Sequence, residues 1–175
     1  MESFPADAVE TYRALARTWA ATVTVVTVRR APEHVGGDVP ELDGFTATAF
    51  LTVSMAPPII VVSATTAASA FTMLRDAAGF AVNLLSPDQT EIAGAFARSA
   101  AERVGLWNSF AWTRSAEGVP LLDGTTGAFS ARVRQLVDAG DHTLVLGDVT
   151  ALHLGAGSDT LVYHNRGYGR VVRQG

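Results

Sequence analysis

The chain has 175 residues, 48% of them hydrophobic and 17% charged, with 13 basic and 17 acidic side chains and a formal charge of -4. That length suits one domain with a core of its own, and a scattered, net-negative charge argues against nucleic acid, whose phosphates need a concentrated cationic face. There is no cysteine, and every basic residue is arginine, so disulfides, thiolate catalysis, Schiff bases and a P-loop lysine are excluded.

The N-terminal stretch Met1–Ala8 has two acids and no basic residue ahead of an apolar run, so it is not read as a signal peptide. Pro5–Ala21 reads as an amphipathic helix, with Val9, Tyr12, Leu15, Ala16 and Trp19 at helical spacing. Thr22–Arg30 is β-branched and alternating, which predicts a strand. Ala31–Asp43 carries two prolines, two glycines and four acids and reads as a loop. Gly44–Met55 is a second β-like run, stopped by Pro57 and Pro58. Ile59–Ser63 is continuously apolar, the pattern of a strand buried on both sides.

Thr65–Ser69 is a small hydroxyl-rich turn, and Ala70–Ala77 a short helix. Phe80–Leu85 predicts a strand. Ser86 as N-cap and Pro87 at the first position predict a helix to about Phe96. Ala97–Pro120 is irregular, with Trp107 and Trp112 inside it. Strands are predicted at Thr126–Leu136, Thr143–Leu154 and Thr160–Tyr163. The sum is a single unit over residues 1–175 with six to seven strands and two or three helices, and hairpins closing on themselves would make a barrel. No apolar run is long enough to span a bilayer. The expectation is a soluble, cytoplasmic protein, and its apolar composition fits either an Ala/Val-rich core or a surface buried between subunits.

The common catalytic signatures are missing: there is no G-x-S-x-G, no H-E-x-x-H and no G-x-G-x-x-G after the first strand. The four histidines do not cluster at metal-ligand spacing, so no metal is expected. Three stretches invite a ligand. Thr46, Thr48, Thr52 and Ser54 share one face of the predicted strand, which suits either solvent or a flat polar ligand. Ser63, Thr65, Thr66 and Ser69 form a turn entering a helix, either a plain cap or an anion site. The turn Gly140–Asp141–His142 leads straight into a strand, so His142 is either a surface residue or a ligand donor.

The order of these motifs resembles the flavin reductase-like, FMN-binding split-barrel family, the short-chain reductase components of two-component monooxygenases. The resemblance runs from Tyr12 to Tyr168. It rests on VTVVT at Val23–Thr27, GFTATAFLTVS then PPIIVVS across Gly44–Ser63, SAF at Ser69–Phe71 and FAVNLL at Phe80–Leu85. It continues through Gln89, the Phe96–Ala97 pair, GVPLLDG at Gly118–Gly124 and GDHTLVLGDV at Gly140–Val149.

The resemblance implies a mainly β fold, a split β-barrel of Greek-key type with a few flanking helices. It implies FMN or FAD as flavin and NADH or NADPH as hydride donor. The ring would lie along Thr46, Ala47, Thr48, Ala49 and Phe50, with Ser63 and Ala64 beside it. Ser69 and Ala70 would neighbour the phosphate, and Phe96 and Arg103 the flavin tail. His142 is the implied catalytic residue, at the nicotinamide, with Tyr168 nearby. A homodimer and a client flavin-dependent monooxygenase are the implied partners. The segment after Ser63 carries no basic residue up to Arg75. The alternatives are a flavoprotein that keeps its flavin and passes electrons elsewhere, and a flavin-binding module without turnover.

Overall fold

A computed structural model describes residues 8–172 together with Ser3 and Pro5. The first helix is shorter than its periodicity predicts: α1 spans Val9–Arg17, Pro5 lies outside it, and positions 6 and 7 fall outside the described residues. None of its nine residues is buried. Isolated helices shorter than about 12–15 residues are marginal in water, so α1 draws little support from its own chain.

The first predicted strand divides at Val23, whose N–H bonds the Leu161 carbonyl. It becomes β1 (Ala21–Thr22) and β2 (Thr24–Arg30). β2 is buried along almost its whole length, because apolar clusters cover both sides. Val26 and Val28 belong to one cluster, and Val23 and Val25 to the other. Its threonines are tolerated because they are hydrogen-bonded: Thr24 Oγ1 donates to the Ala47 carbonyl at 2.8 Å.

A loop with one 3-10 turn at Pro32–His34 leads to β3 (Leu42–Ala47). The predicted run then breaks at Thr48 and Ala49 and resumes as β4 (Phe50–Met55). β5 (Pro58–Thr65) alternates instead of being buried on both sides. Ile60, Val62 and Ala64 enter the core, whereas Ile59, Val61 and Ser63 are half-buried. α2 (Ser69–Arg75) and β6 (Ala77–Leu84) follow.

The next helix, α3 (Thr90–Phe96), starts later than Ser86 because the chain there makes its own turn. Gln89 Oε1 accepts the Ser86 N–H, and the Gln89 N–H bonds the Ser86 carbonyl, both at 3.0 Å. The remaining strands are β7 (Trp112–Arg114), β8 (Pro120–Leu122), β9 (Gly127–Ala139), β10 (His142–Leu154), β11 (Leu161–His164) and β12 (Gly167–Arg170). The sequence reading missed β12, since two glycines in four residues mask a strand.

The main sheet has seven antiparallel strands in the order β3-β2-β6-β9-β10-β5-β4. Its two outermost strands are consecutive in the chain, joined only by Thr48 and Ala49. In a flat sheet they would stand about 29 Å apart, and such a link reaches on the order of 10 Å. The sheet therefore curls. Among the described residues no ladder joins β3 to β4, so the fold is a mainly β, curled sheet left split at that seam. Met73 and Leu74 of α2 belong to one cluster, with Phe45, Val62 and Phe80. Ala93 and Phe96 of α3 belong to the other, with Val25 and Leu85.

Candidate functional site

The seam is the natural place for a ligand to meet backbone. Thr48 and Ala49 are exposed and lie between the ladders of β3 and β4. The residues on either side are committed. Thr46 Oγ1 donates to the Ala93 carbonyl at 2.7 Å. Ala47 sits in the core, and Phe50 packs on Phe129 with ring centroids 5.5 Å apart. The expected hydroxyl face is not continuous: the chain leaves the ladder at the seam, and a register shift between Thr52 and Ser54 breaks the alternation again.

Thr48 and Ala49 line a groove of about 480 Å3 with Tyr12, Trp19, Tyr163 and Arg166. Tyr168 is linked to this groove through Tyr163, their rings meeting edge to face at 5.6 Å. Burial first, and Tyr163 second, push the Tyr168 phenol above its ordinary pKa, so it remains a neutral hydroxyl.

Beside the seam, the Ser63 N–H bonds the Ala49 carbonyl at 2.9 Å. Ser63 is half-buried, whereas the Ala64 side chain is buried in the core. The β5–β10 ladder pairs Ser63 with Leu144 and Thr65 with His142. His142 reaches that place because Gly140, with φ of +71°, opens a two-residue hairpin between β9 and β10, and a glycine in the first position fits the tight turn that matches strand twist. There His142 Nδ1 meets Asp141 Oδ1 at 2.7 Å, and its Nε2 meets Thr65 Oγ1 at 3.2 Å. The hydrogen bond from His142, then the imidazole charge, hold the Asp141 carboxyl below its ordinary range. An ionised carboxylate only accepts, so Nδ1 carries a proton toward Asp141.

The third component is a cleft of about 740 Å3 whose lining includes Ser69, Arg103 and Trp107. Ala70, next to Ser69, is half-buried against the core. Beneath the cleft Asp43 receives two arginines, Arg30 Nη2 at 3.1 Å and Arg103 Nε at 3.3 Å, together with the Gly44 N–H at 2.8 Å. Arg103 Nη1 donates to the Arg98 carbonyl at 2.6 Å. Its Nη2 has no partner, the one buried side-chain nitrogen or oxygen so placed among the described residues, and Arg103 is only 7% exposed. Leaving a buried donor unmade costs about 1–3 kcal/mol, more for a charged group. Arg103 lines the cleft, and an anionic oxygen that reached Nη2 would satisfy it, so the residues present fit a phosphate-bearing ligand. Phe96 is buried under Trp107 and Phe110, at 5.5 and 6.2 Å between centroids, and supports Trp107 rather than facing the cleft.

The fold thus brings Thr48 and Ala49 beside Ser63, sets His142 opposite Thr65 on the same ladder, and joins Ser69 to Arg103. The basic residue missing after Ser63 is supplied from 34 positions beyond Ser69 and, across the sheet, from Arg30. Sequence reading did not name Arg30, Asp43, Trp107 or Asp141 as site residues. Only Asp141 had a local signal, its adjacency to His142; the others meet through pairings remote in sequence.

A family model described as flavin reductase like domain matches residues 16–171. The chain is 36% identical over 168 residues to the NADH:FMN oxidoreductase of Rhodococcus qingshengii, covering 94% of this chain and 82% of that one. It is 33% identical over 159 residues to the reductase component of 4-hydroxyphenylacetate 3-monooxygenase from Thermus thermophilus, covering 91% and 93%. Among solved structures, the NADH:FAD oxidoreductase of Streptomyces globisporus, in complex with NAD and FAD fragments, superposes with a TM-score of 0.83 at 25% identity, covering 98% of each chain.

Proposed function

Because the chain belongs to the flavin reductase like domain family, we propose that it is an NAD(P)H:flavin oxidoreductase that delivers reduced FMN or FAD to a partner monooxygenase. The observation that carries this is the family match over residues 16–171, which takes in the seam, the His142 ladder and the cleft. The names of the relatives support it, one being an NADH:FMN oxidoreductase and another a monooxygenase reductase component. The whole chain, 1–175, is taken as one such domain, and a homodimer as its working form.

Flavin and nicotinamide, when bound, supply the hydride chemistry between them. The chain supplies position and electrostatics. In this reading Thr46–Phe50 offers the ring its backbone at the exposed Thr48–Ala49 link, and Ser63 borders it. Ser69 and Arg103 hold the phosphate side. His142, fixed by Asp141 and Thr65, orients the nicotinamide without donating a proton, and Tyr168 backs the same region. Ala47, Ala64, Ala70 and Phe96 shape the site from the core.

Anaerobic mixing of the protein with each flavin and each nicotinamide tests the proposal. Loss of NADH or NADPH absorbance with free reduced flavin appearing is the expected result. Reduction of a flavin that stays on the protein would replace release by retention. No oxidation with any pair would reject the enzyme reading.

A further inference from the structure

Two buried cations share the carboxylate of Asp43, and they share it unevenly. Oδ2 takes Arg30 Nη2 at 3.1 Å, whereas Oδ1 takes the Gly44 N–H at 2.8 Å and Arg103 Nε at 3.3 Å. Charge-assisted N–H···O bonds ordinarily measure about 2.7–2.9 Å, so both arginine contacts are long and the one to Arg103 is the longer. Arg103 also keeps Nη2 buried without a partner. A buried charged donor left unmade is costly, so these are not the best contacts that Arg103 can make. Its surroundings let it change them. From residue 97 to residue 105 Arg103 alone is buried, so its side chain tethers a segment that has little else to hold it. Arg30 is fixed by contrast. Its N–H bonds the Glu41 carbonyl at 2.8 Å, and its Nη1 donates to the Pro40 carbonyl at 2.6 Å.

Breaking a buried ion pair is costly chiefly because it strands a charge. Here it would not. If Arg103 turned away, Asp43 would keep Arg30 on one oxygen and the Gly44 N–H on the other. We infer that Asp43 is an internal stand-in for the phosphate on Arg103, and that Arg30 is the positioning residue that retains Asp43 when Arg103 passes to the phosphate. The inference rests on the proposed function, which supplies that phosphate. It assigns opposite effects to the two partners. Without Arg30, Asp43 has Arg103 as its only cation and holds it back. Without Asp43, Arg103 is released in advance.

FMN and riboflavin, each titrated into the flavin-free protein, test this, because the ratio of their affinities reads the phosphate alone. Arg30→Met is expected to lower that ratio about tenfold with Arg103 still present, the equivalent of one charge-assisted hydrogen bond. Arg30→Met combined with Asp43→Asn removes one charge of each sign and is expected to restore the wild-type ratio or exceed it. A merely structural role would weaken FMN and riboflavin together and leave the ratio unchanged, which overturns the inference. So does a double variant with a ratio as low as Arg30→Met, which would mean that Arg30 meets the phosphate itself. In wild type with isotope-labelled arginine, the Nε–H signal of Arg103, identified by its loss in Arg103→Gln, should move with FMN or pyrophosphate and stay with riboflavin. Absence of all flavin binding to wild type would instead reject the reductase reading. The pyrophosphate titration then decides alone: an Arg103 signal that moves upholds the exchange, and one that stays overturns it.

Discussion

His142 has two neighbours that define its chemistry, Asp141 on Nδ1 and Thr65 on Nε2. Replacing His142 by Ala is expected to raise the KM for the nicotinamide severalfold with flavin affinity little changed; an unchanged KM would refute that role. Asp141→Asn removes the acceptor-only partner, so nitrogen-detected NMR should show the Nδ1–H form in wild type and a mixture in the variant. The pH dependence follows from Asp141, whose folded pKa lies below its unfolded value. A depressed carboxyl contributes above the unfolded value, about 4, and its contribution is lost as pH falls through the folded one. The Asp141 carboxylate should therefore stay ionised and paired with Nδ1 down past the ordinary carboxylate titration, which its carboxyl carbon chemical shift would report. His142 itself was legible from the Gly-Asp-His turn. Thr65 as its partner was not, because strand register carries that information and a hydroxyl 77 residues away leaves no local mark.

At the scale of elements, Gly147 shows how tightly the curled sheet is drawn. It lies on β10 where the pairing with β9 shifts register, and a Cβ there would come within 2.6 Å of Phe80 Cζ and 3.1 Å of Ala131 Cβ. Phe80 is fully buried and has nowhere to retreat. Gly147→Ala should cost about 1–3 kcal/mol by overpacking. In a chain of this length that lowers Tm by about 2–4 °C per kcal/mol, measurable by calorimetry; an unchanged Tm would mean that the sheet yields locally.

Most strands could be read from β-branched runs and proline stops. Their surroundings could not. The Thr/Val alternation of β2 suggests one polar face, yet both faces are buried and its threonines are satisfied by carbonyls. The apolar run of β5 suggests two buried faces, yet one is only half-buried within the chain. The helix start slipped for a related reason: Gln89 folds back on Ser86, and a side chain closing its own turn competes with a cap.

For the whole molecule, the uncovered surface is the guide. Met55 is 94% and Leu154 98% exposed, and Leu51, Val53 and Leu152 are exposed with them. α1 adds Tyr12 and Leu15 without burying any residue, and Trp19 follows just beyond its end. Extended apolar surface of this kind marks an interface, and a second copy of the chain is the partner the proposed homodimer supplies. Sedimentation equilibrium should give twice the chain mass. Met55→Asp with Leu154→Asp should shift it to one chain and reduce the helical signal from α1; a wild-type monomer would reject the dimer. The composition hinted at this surface but did not locate it, because exposure is a property of the folded sheet.

The link at Thr48 and Ala49 has a further consequence. One unbroken segment serves both margins of the sheet, so neither margin can drift without pulling the other. The two residues act as a clasp. Open sheet margins are templates for strand addition by other chains, and here the clasp keeps them turned toward each other. In the proposed function the same two residues are the ones that meet the ring of a flavin. A substitution there therefore trades ligand contact against self-sealing, and selection on one is felt by the other.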